Sequence, residues 1–325
     1  MVKAVLPLLR RLYLIFAISS LSMYLLSMVF AIVVVGSPIN RSLLIQSYPI
    51  QSYRLLLWDL DPVLLLPSLL LVMVLAFILA FSLSGISEPN FCRSSLDFLK
   101  GKADPTRMNF LLVMPFICSS TFFCFYVLHY LEESAGIPVG GVVFRNLFEE
   151  ILLSSYAVFA EELAFRMLPV LFPVALLLLI STRGSGMRFR TVLLALFKPR
   201  LFIEVYDDGR VSVPPRGFVA TLVVLSSMIF AYAHLASGSW GVGKVLTAFI
   251  AGLVLGFSAF YYGFESSILI HWFYNSYWPA LALASEFLYP FGGVYALAFY
   301  YTMISGAIMS ILMPWVIRSG IMARV

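Results

Sequence analysis

The chain has 325 residues, 62% of them hydrophobic and 11% charged, a balance that excludes a water-soluble globule and defines a polytopic membrane protein. Its formal net charge of +5 does not call for nucleic acid, because Lys and Arg collect on the cytoplasmic side of membrane proteins. Cys92, Cys118 and Cys124 have neither zinc-ligand spacing nor a disulfide framework, and read as packing or loop residues.

A hydrocarbon layer about 30 Å thick is crossed by about 20 apolar residues in a helix. Eight such runs occur along the chain, at 12–35, 62–84, 109–130, 151–180, 217–236, 245–262, 268–287 and 294–315. They predict an all-α, multi-pass integral membrane protein of about eight transmembrane helices, with the lipid bilayer as its surroundings. The first run follows Lys3, Arg10 and Arg11, but it is too long for a signal-peptide core and lacks a small-x-small cleavage site after it. It is read as a retained anchor. With the N-terminus inside, the outer segments hold only Arg41, Arg54, Arg145 and Lys244, and the inner ones hold the bulk of the basic residues. This asymmetry predicts that both termini are cytoplasmic.

Two polar breaks, 85–107 and 181–217, fall on the predicted cytoplasmic side. In the second, LFIEVYDDGRVSV places β-branched and aromatic residues on either side of Asp208-Gly209, the signal of a small β-hairpin at 201–213. The competing reading is an irregular basic loop near anionic headgroups. No internal repeat is evident, which counts against repeat-built transporters. The chain divides into N-terminal anchoring and packing helices (1–145), a chemistry-bearing core (146–287) and a C-terminal helix and tail (288–325), joined in one membrane domain.

FAEELAFRMLPVLF, residues 159–172, sets Glu161, Glu162 and Arg166 inside an apolar run. Ionisable groups at membrane depth are costly and face protein or a water-filled cavity. Glu162 and Arg166 are four apart and can pair on one helix face, acid before base. Glu161 points about 100° away and is free for another partner. Two further polar islands follow, IFAYAHLASGSWG (229–241) with His234, and ILIHWFYNSYW (268–278) with His271 and Asn275 one turn apart. Phe230, one turn before His234, reads as packing that fixes the imidazole. Each feature taken alone is satisfied by a structural role: an ion-paired cluster, or an interior histidine.

Taken together, a carboxylate, two imidazoles and an amide on three helices must converge to satisfy one another, and convergence makes a site. A carboxylate in an apolar site suits general-base catalysis. Glu161 can then take a proton from water, His234 can orient that water, and His271 with Asn275 can donate hydrogen bonds to a tetrahedral oxyanion. That set suffices to hydrolyse an amide without a covalent intermediate. Such convergence also requires the segment 234–243 to fold back into the protein, since hydropathy alone puts His234 and His271 toward opposite faces. Two readings from other classes explain the same charges: a proton- or ion-coupled transporter, and a non-catalytic membrane scaffold.

EELAFR (161–166) has the pattern EExxxR, FAYAH (230–234) FxxxH, and HWFYN (271–275) HxxxN. In this order on successive helices the motifs resemble the signature of the CAAX protease and bacteriocin-processing (Abi) family, which includes the type II CAAX prenyl endopeptidases. AGLVLGFSAFYYGFESSILIHWFYN (251–275) is similar to the family's Gly-containing helix, connector and motif-bearing helix. The resemblance covers roughly 146–287. It implies an intramembrane glutamate endopeptidase in which Glu161 activates water, His234 helps hold it, and His271 with Asn275 forms the oxyanion site. Glu162, Arg166 and Phe230 fall on supporting positions. The implied substrate is a peptide or protein, prenylated at its C-terminus in eukaryotic members. No cofactor is expected; the alternative is zinc held by Glu161, His234 and His271, though no HExxH pair occurs and Asn is a poor zinc ligand.

Overall fold

The computed structural model describes the backbone of residues 2–36, 53–55, 58–60, 62–82, 90–102, 108–181, 189–206, 215–288 and 292–318. Each of the eight apolar runs is helical: α1 (Val2–Gly36), α2 (Pro62–Ser82), α4 (Phe110–Ser134), the run α5 (Leu147–Glu162), π segment (Leu163–Leu171) and α6 (Phe172–Ser181), then α9 (Arg216–Ala236), α10 (Lys244–Tyr262), α11 (Phe264–Phe287) and α12 (Val294–Arg318). Three shorter helices join them, α3 (Phe91–Leu99), α7 (Phe189–Phe197) and α8 (Pro199–Tyr206). Asparagines begin three of these helices: Asn90, Asn109 and Asn146 accept a backbone N–H of the first turn of α3, α4 and α5, the usual N-terminal cap.

Among the described residues six helices are long and apolar enough to cross a membrane; α2, of which 68–78 counts as a shorter apolar helix, and α11 are not among them. The run at 268–287 forms α11, but α11 includes Glu265, His271, Asn275 and Glu286 and is less apolar than the others. It tolerates this polarity because protein surrounds it. Leu269, Ile270, Trp272, Ala280, Leu283 and Ala284 are fully buried, and α11 packs against α1, α5, α10 and α12. Tyr24 of α1 donates its hydroxyl proton to Leu269 O at 2.7 Å, and Trp272 Nε1 donates to Ser155 Oγ of α5 at 3.1 Å. These two buried polar groups of the central helix are thus paired by its neighbours.

Close helix approach depends on small residues. Gly252 and Gly256, one turn apart on α10, lie against Ser227 and Val223 of α9. A Cβ on Gly252 would come within 2.8 Å of Ser227 Cβ, and one on Gly256 within 2.8 Å of Val223 Cγ1. This small-xxx-small seam lets two membrane helices touch along their backbones.

The hairpin expected at 201–213 is not formed over its first arm. Residues 201–206 are helical, in α8, and 207–213 lie outside the described residues. Local packing overrides the β-branched pattern: Arg200 and Glu204 pair at 3.3 Å one turn apart, Phe202 stacks near Tyr206 at 4.7 Å, and Leu201 and Phe202 are buried. Two strands occur elsewhere, β1 (Tyr53–Leu55) and β2 (Trp58–Leu60), antiparallel with Tyr53 opposite Leu60.

Candidate active site

Glu161 and Glu162 end α5 immediately before the chain widens into the π register. Pro169 lies within that segment and has no N–H to give to its backbone ladder. Ser226 of α9 donates its hydroxyl to Phe165 O, which ties the segment to α9. π turns are frequent at functional sites.

Glu162 is fully buried, and its Oε1 accepts from His271 Nδ1 at 2.8 Å and lies 3.5 Å from Arg166 Nη1. The Glu162–Arg166 pair is the one that the spacing predicts. The bond from Glu162 to His271 is not, because it joins residues 109 apart in sequence. Arg166 places its guanidinium 4.2 Å from the centre of the Phe230 ring, a cation–π contact in an apolar surrounding. Phe230 in turn has His234 4.6 Å and His271 5.9 Å from its ring centre. Phe230 thus supports both imidazoles and the arginine, two more partners than its expected packing role.

Glu161 diverges from Glu162, as their separation around the helix predicts. Its Oε2 lies 3.5 Å from His271 Nε2, and that buried oxygen has no hydrogen-bond donor from the protein. Asn275 Nδ2 is 3.2 Å from the same His271 nitrogen. Because Nδ1 of His271 faces a carboxylate acceptor, it carries a proton, and in the neutral ring Nε2 accepts from Asn275. His234 is fixed in the same way: its Nδ1 is 2.9 Å from Phe230 O, an acceptor, so Nδ1 carries the proton and Nε2 is free to accept one.

The four residues named from sequence, Glu161, His234, His271 and Asn275, thus collect around Phe230 and Arg166. The route to convergence differs from the expected one. Residues 234–236 complete α9, so the imidazole stands on a helical turn, and only 237–243 form a loop. This loop is tied to the connection between α4 and α5. Gly141 N donates to Ser239 O at 3.0 Å, Gly241 N to Val139 O at 2.8 Å, and Gly243 N to Pro138 O at 3.0 Å. Gly241 is required there, since a Cβ would fall 2.1 Å from Pro138 O. The strap sets Trp240 6.1 Å from the His234 ring.

Among the described residues no three His, Cys, Asp or Glu side chains are disposed to hold a metal ion. Both ring nitrogens of His271 are engaged, by Glu162 and by Asn275.

Fold and site together define an all-α polytopic membrane protein whose ionisable side chains gather at one interior centre built from the α5–π junction, α9 and α11. Residues 143–277, which contain every side chain of that centre, match the family model described as Type II CAAX prenyl endopeptidase Rce1-like. This match agrees with the three motifs read from sequence, which lie within it. No curated protein and no solved structure matches the chain.

Proposed function

We propose that the protein is an intramembrane endopeptidase that hydrolyses a peptide bond with water activated by Glu161. The observation that carries this reading is the free Glu161 Oε2, buried, without a protein donor, and 3.5 Å from His271 Nε2. A water bound there gives one proton to Glu161 as its oxygen attacks the peptide carbonyl carbon. His234 Nε2, left as an acceptor by the Nδ1 bond to Phe230 O, takes the water's other hydrogen bond. The carbonyl oxygen becomes an oxyanion, to which Asn275 turns its amide hydrogens from the adjacent His271 Nε2, the two residues together forming the oxyanion site. Collapse of this intermediate breaks the C–N bond, and the proton on Glu161 passes to the leaving amine. The products are a carboxylate and an amine, and no metal takes part.

Glu162 and Arg166 act through others: Glu162 orients the His271 ring, and Arg166 neutralises Glu162 and stacks on Phe230. The substrate is a protein or peptide prenylated at its C-terminus, whose lipid enters from the bilayer and whose peptide enters from a polar side. Residues 146–287 form the catalytic core and residues 1–145 and 288–325 anchor it, with both termini cytoplasmic.

The test uses purified protein in detergent or vesicles with a fluorogenic farnesylated peptide. Glu161→Gln is expected to lower cleavage by at least about 100-fold, the scale of general-base catalysis, and a chelator is expected to leave wild-type cleavage intact. Hydrolysis that persists in Glu161→Gln overturns the mechanism. Cleavage abolished by chelator points to zinc, and substrate-driven proton flux without cleavage points to a transporter.

A further inference from the structure

Lys244 opens α10, where a cation opposes the helix dipole instead of complementing it. A residue so placed costs stability unless something anionic faces it. No carboxylate lies within ion-pair distance of Lys244 among the described residues. Glu132 Oε2 approaches the neighbouring Gly243, 3.2 Å from where a Cβ would stand, yet forms no ion pair with Lys244. The ammonium instead sits 4.3 Å from the centre of the Trp240 indole, the same ring that stands 6.1 Å from His234. Lys244 thus borders the site through Trp240, whose ring lies beside both the ammonium and the His234 imidazole.

This cation is held in place by construction. Trp240 pairs by its backbone with Gly140. The strap's hydrogen bonds from Gly241 to Val139 and from Gly243 to Pro138 fix the turn that leads directly into Lys244. Lys244 is half-buried, and its indole neighbour shields one side of the ammonium from water. A fixed, partly desolvated cation beside a peptide-cleaving centre is a receptor for an anion.

We infer that Lys244 binds a carboxylate of the substrate peptide, in the first place its free C-terminal carboxylate, an assignment that rests on the peptidase reading above. An ordinary peptide has only carboxylates as anionic groups, and the terminal one is present whatever the sequence. An extended chain advances about 3.3 Å per residue, so a cut only a few residues from the end leaves the terminus at the wall formed by Trp240 and Lys244. The site therefore selects peptide bonds close to a free C-terminus.

The experiment compares one fluorogenic farnesylated peptide as the free acid and as the C-terminal amide, in wild type, Lys244→Gln and Lys244→Arg. Wild type is expected to prefer the acid in kcat/KM by about tenfold or more, the scale of one hydrogen bond to a charged group, chiefly through KM. Lys244→Gln is expected to bring that ratio close to one, and Lys244→Arg to retain a preference. An amide peptide ending in Asp separates the two sources of the same chemistry: restored cleavage assigns the site to any carboxylate, and unrestored cleavage assigns it to the terminal one. Equal cleavage of acid and amide by wild type, or an unchanged preference in Lys244→Gln, overturns the assignment. Cleavage of neither peptide by wild type overturns the peptidase reading and this inference with it.

Discussion

At Glu162 a single carboxylate oxygen serves both an imidazole and a guanidinium, with its carboxylate fully buried and Arg166 almost so. Removing one member of such a group leaves an uncompensated charge out of water, at about 3–5 kcal/mol. Arg166→Ala is therefore expected to lower the thermal unfolding temperature in detergent markedly and to abolish activity. Glu161 is about 29% exposed and has no protein donor on Oε2. Glu161→Gln is expected to unfold near the wild-type temperature while losing activity, and a fall as large as that of Arg166→Ala would show Glu161 to be structural. The sequence made the members of this group legible, because helical spacing links Glu162 to Arg166 and His271 to Asn275. It left the Glu162–His271 bond unread, since that contact joins two helices whose rotation no single-chain period reports. Lys244 was legible as an outer basic residue only. A cation in the first turn of a helix, beside a Trp, is the signal that points further.

Between elements, the site depends on how closely α9 and α10 approach, because α9 carries Phe230 and His234 and α10 begins at Lys244. Gly252 stands where a Cβ would collide with both Cα and Cβ of Ser227, at 2.9 and 2.8 Å, and backbone cannot yield as a flexible side-chain tip can. Gly252→Val is expected to force the two helices apart at about 1–3 kcal/mol, lowering both the unfolding temperature and kcat. Gly217, with open space around its Cβ position, is the control, and Gly217→Ala is expected to be neutral or slightly stabilising. Equal effects from both would show that the seam is not what sets the separation. Apolar runs announced these helices, since length and hydropathy are local properties. The π register at 163–171 has no local signal beyond Pro169, which lacks a backbone donor, and the bond from Ser226 to Phe165 O joins residues 61 apart. The 201–206 segment was misread for a related reason, in that alternation suggested a strand while the Arg200–Glu204 and Phe202–Tyr206 pairs, each one turn apart, favour a helix.

For the molecule as a whole, six helices among the described residues have the length and apolarity to cross a membrane, and α11, which does not, is buried among its neighbours. Membrane orientation rests on charge alone, since the fold is indifferent to which face is cytoplasmic. The three cysteines provide a direct reading of it. Cys92 is exposed on α3, whose opposite face buries Phe91, Ser94, Ser95 and Phe98 against the bundle, and its neighbour Arg93 is exposed as well. Cys118 is buried inside α4. Cys124 is exposed on α4 but in the middle of a span, 4.0 Å from Ser310 of α12, where lipid covers it. A charged, membrane-impermeant maleimide therefore has one accessible target in the folded protein. On the eight-run reading of the sequence, in which α1 and α2 both cross from a cytoplasmic N-terminus, α3 returns to the cytoplasmic face. Cys92 is then expected to be labelled in inverted vesicles and protected in intact cells, with Cys118 and Cys124 unreactive in both until the protein is denatured. Labelling of Cys92 from outside would invert the arrangement and place Trp240 and Lys244, at the far end of α9, on the cytoplasmic side, where a substrate's free carboxylate would have to arrive from the opposite direction.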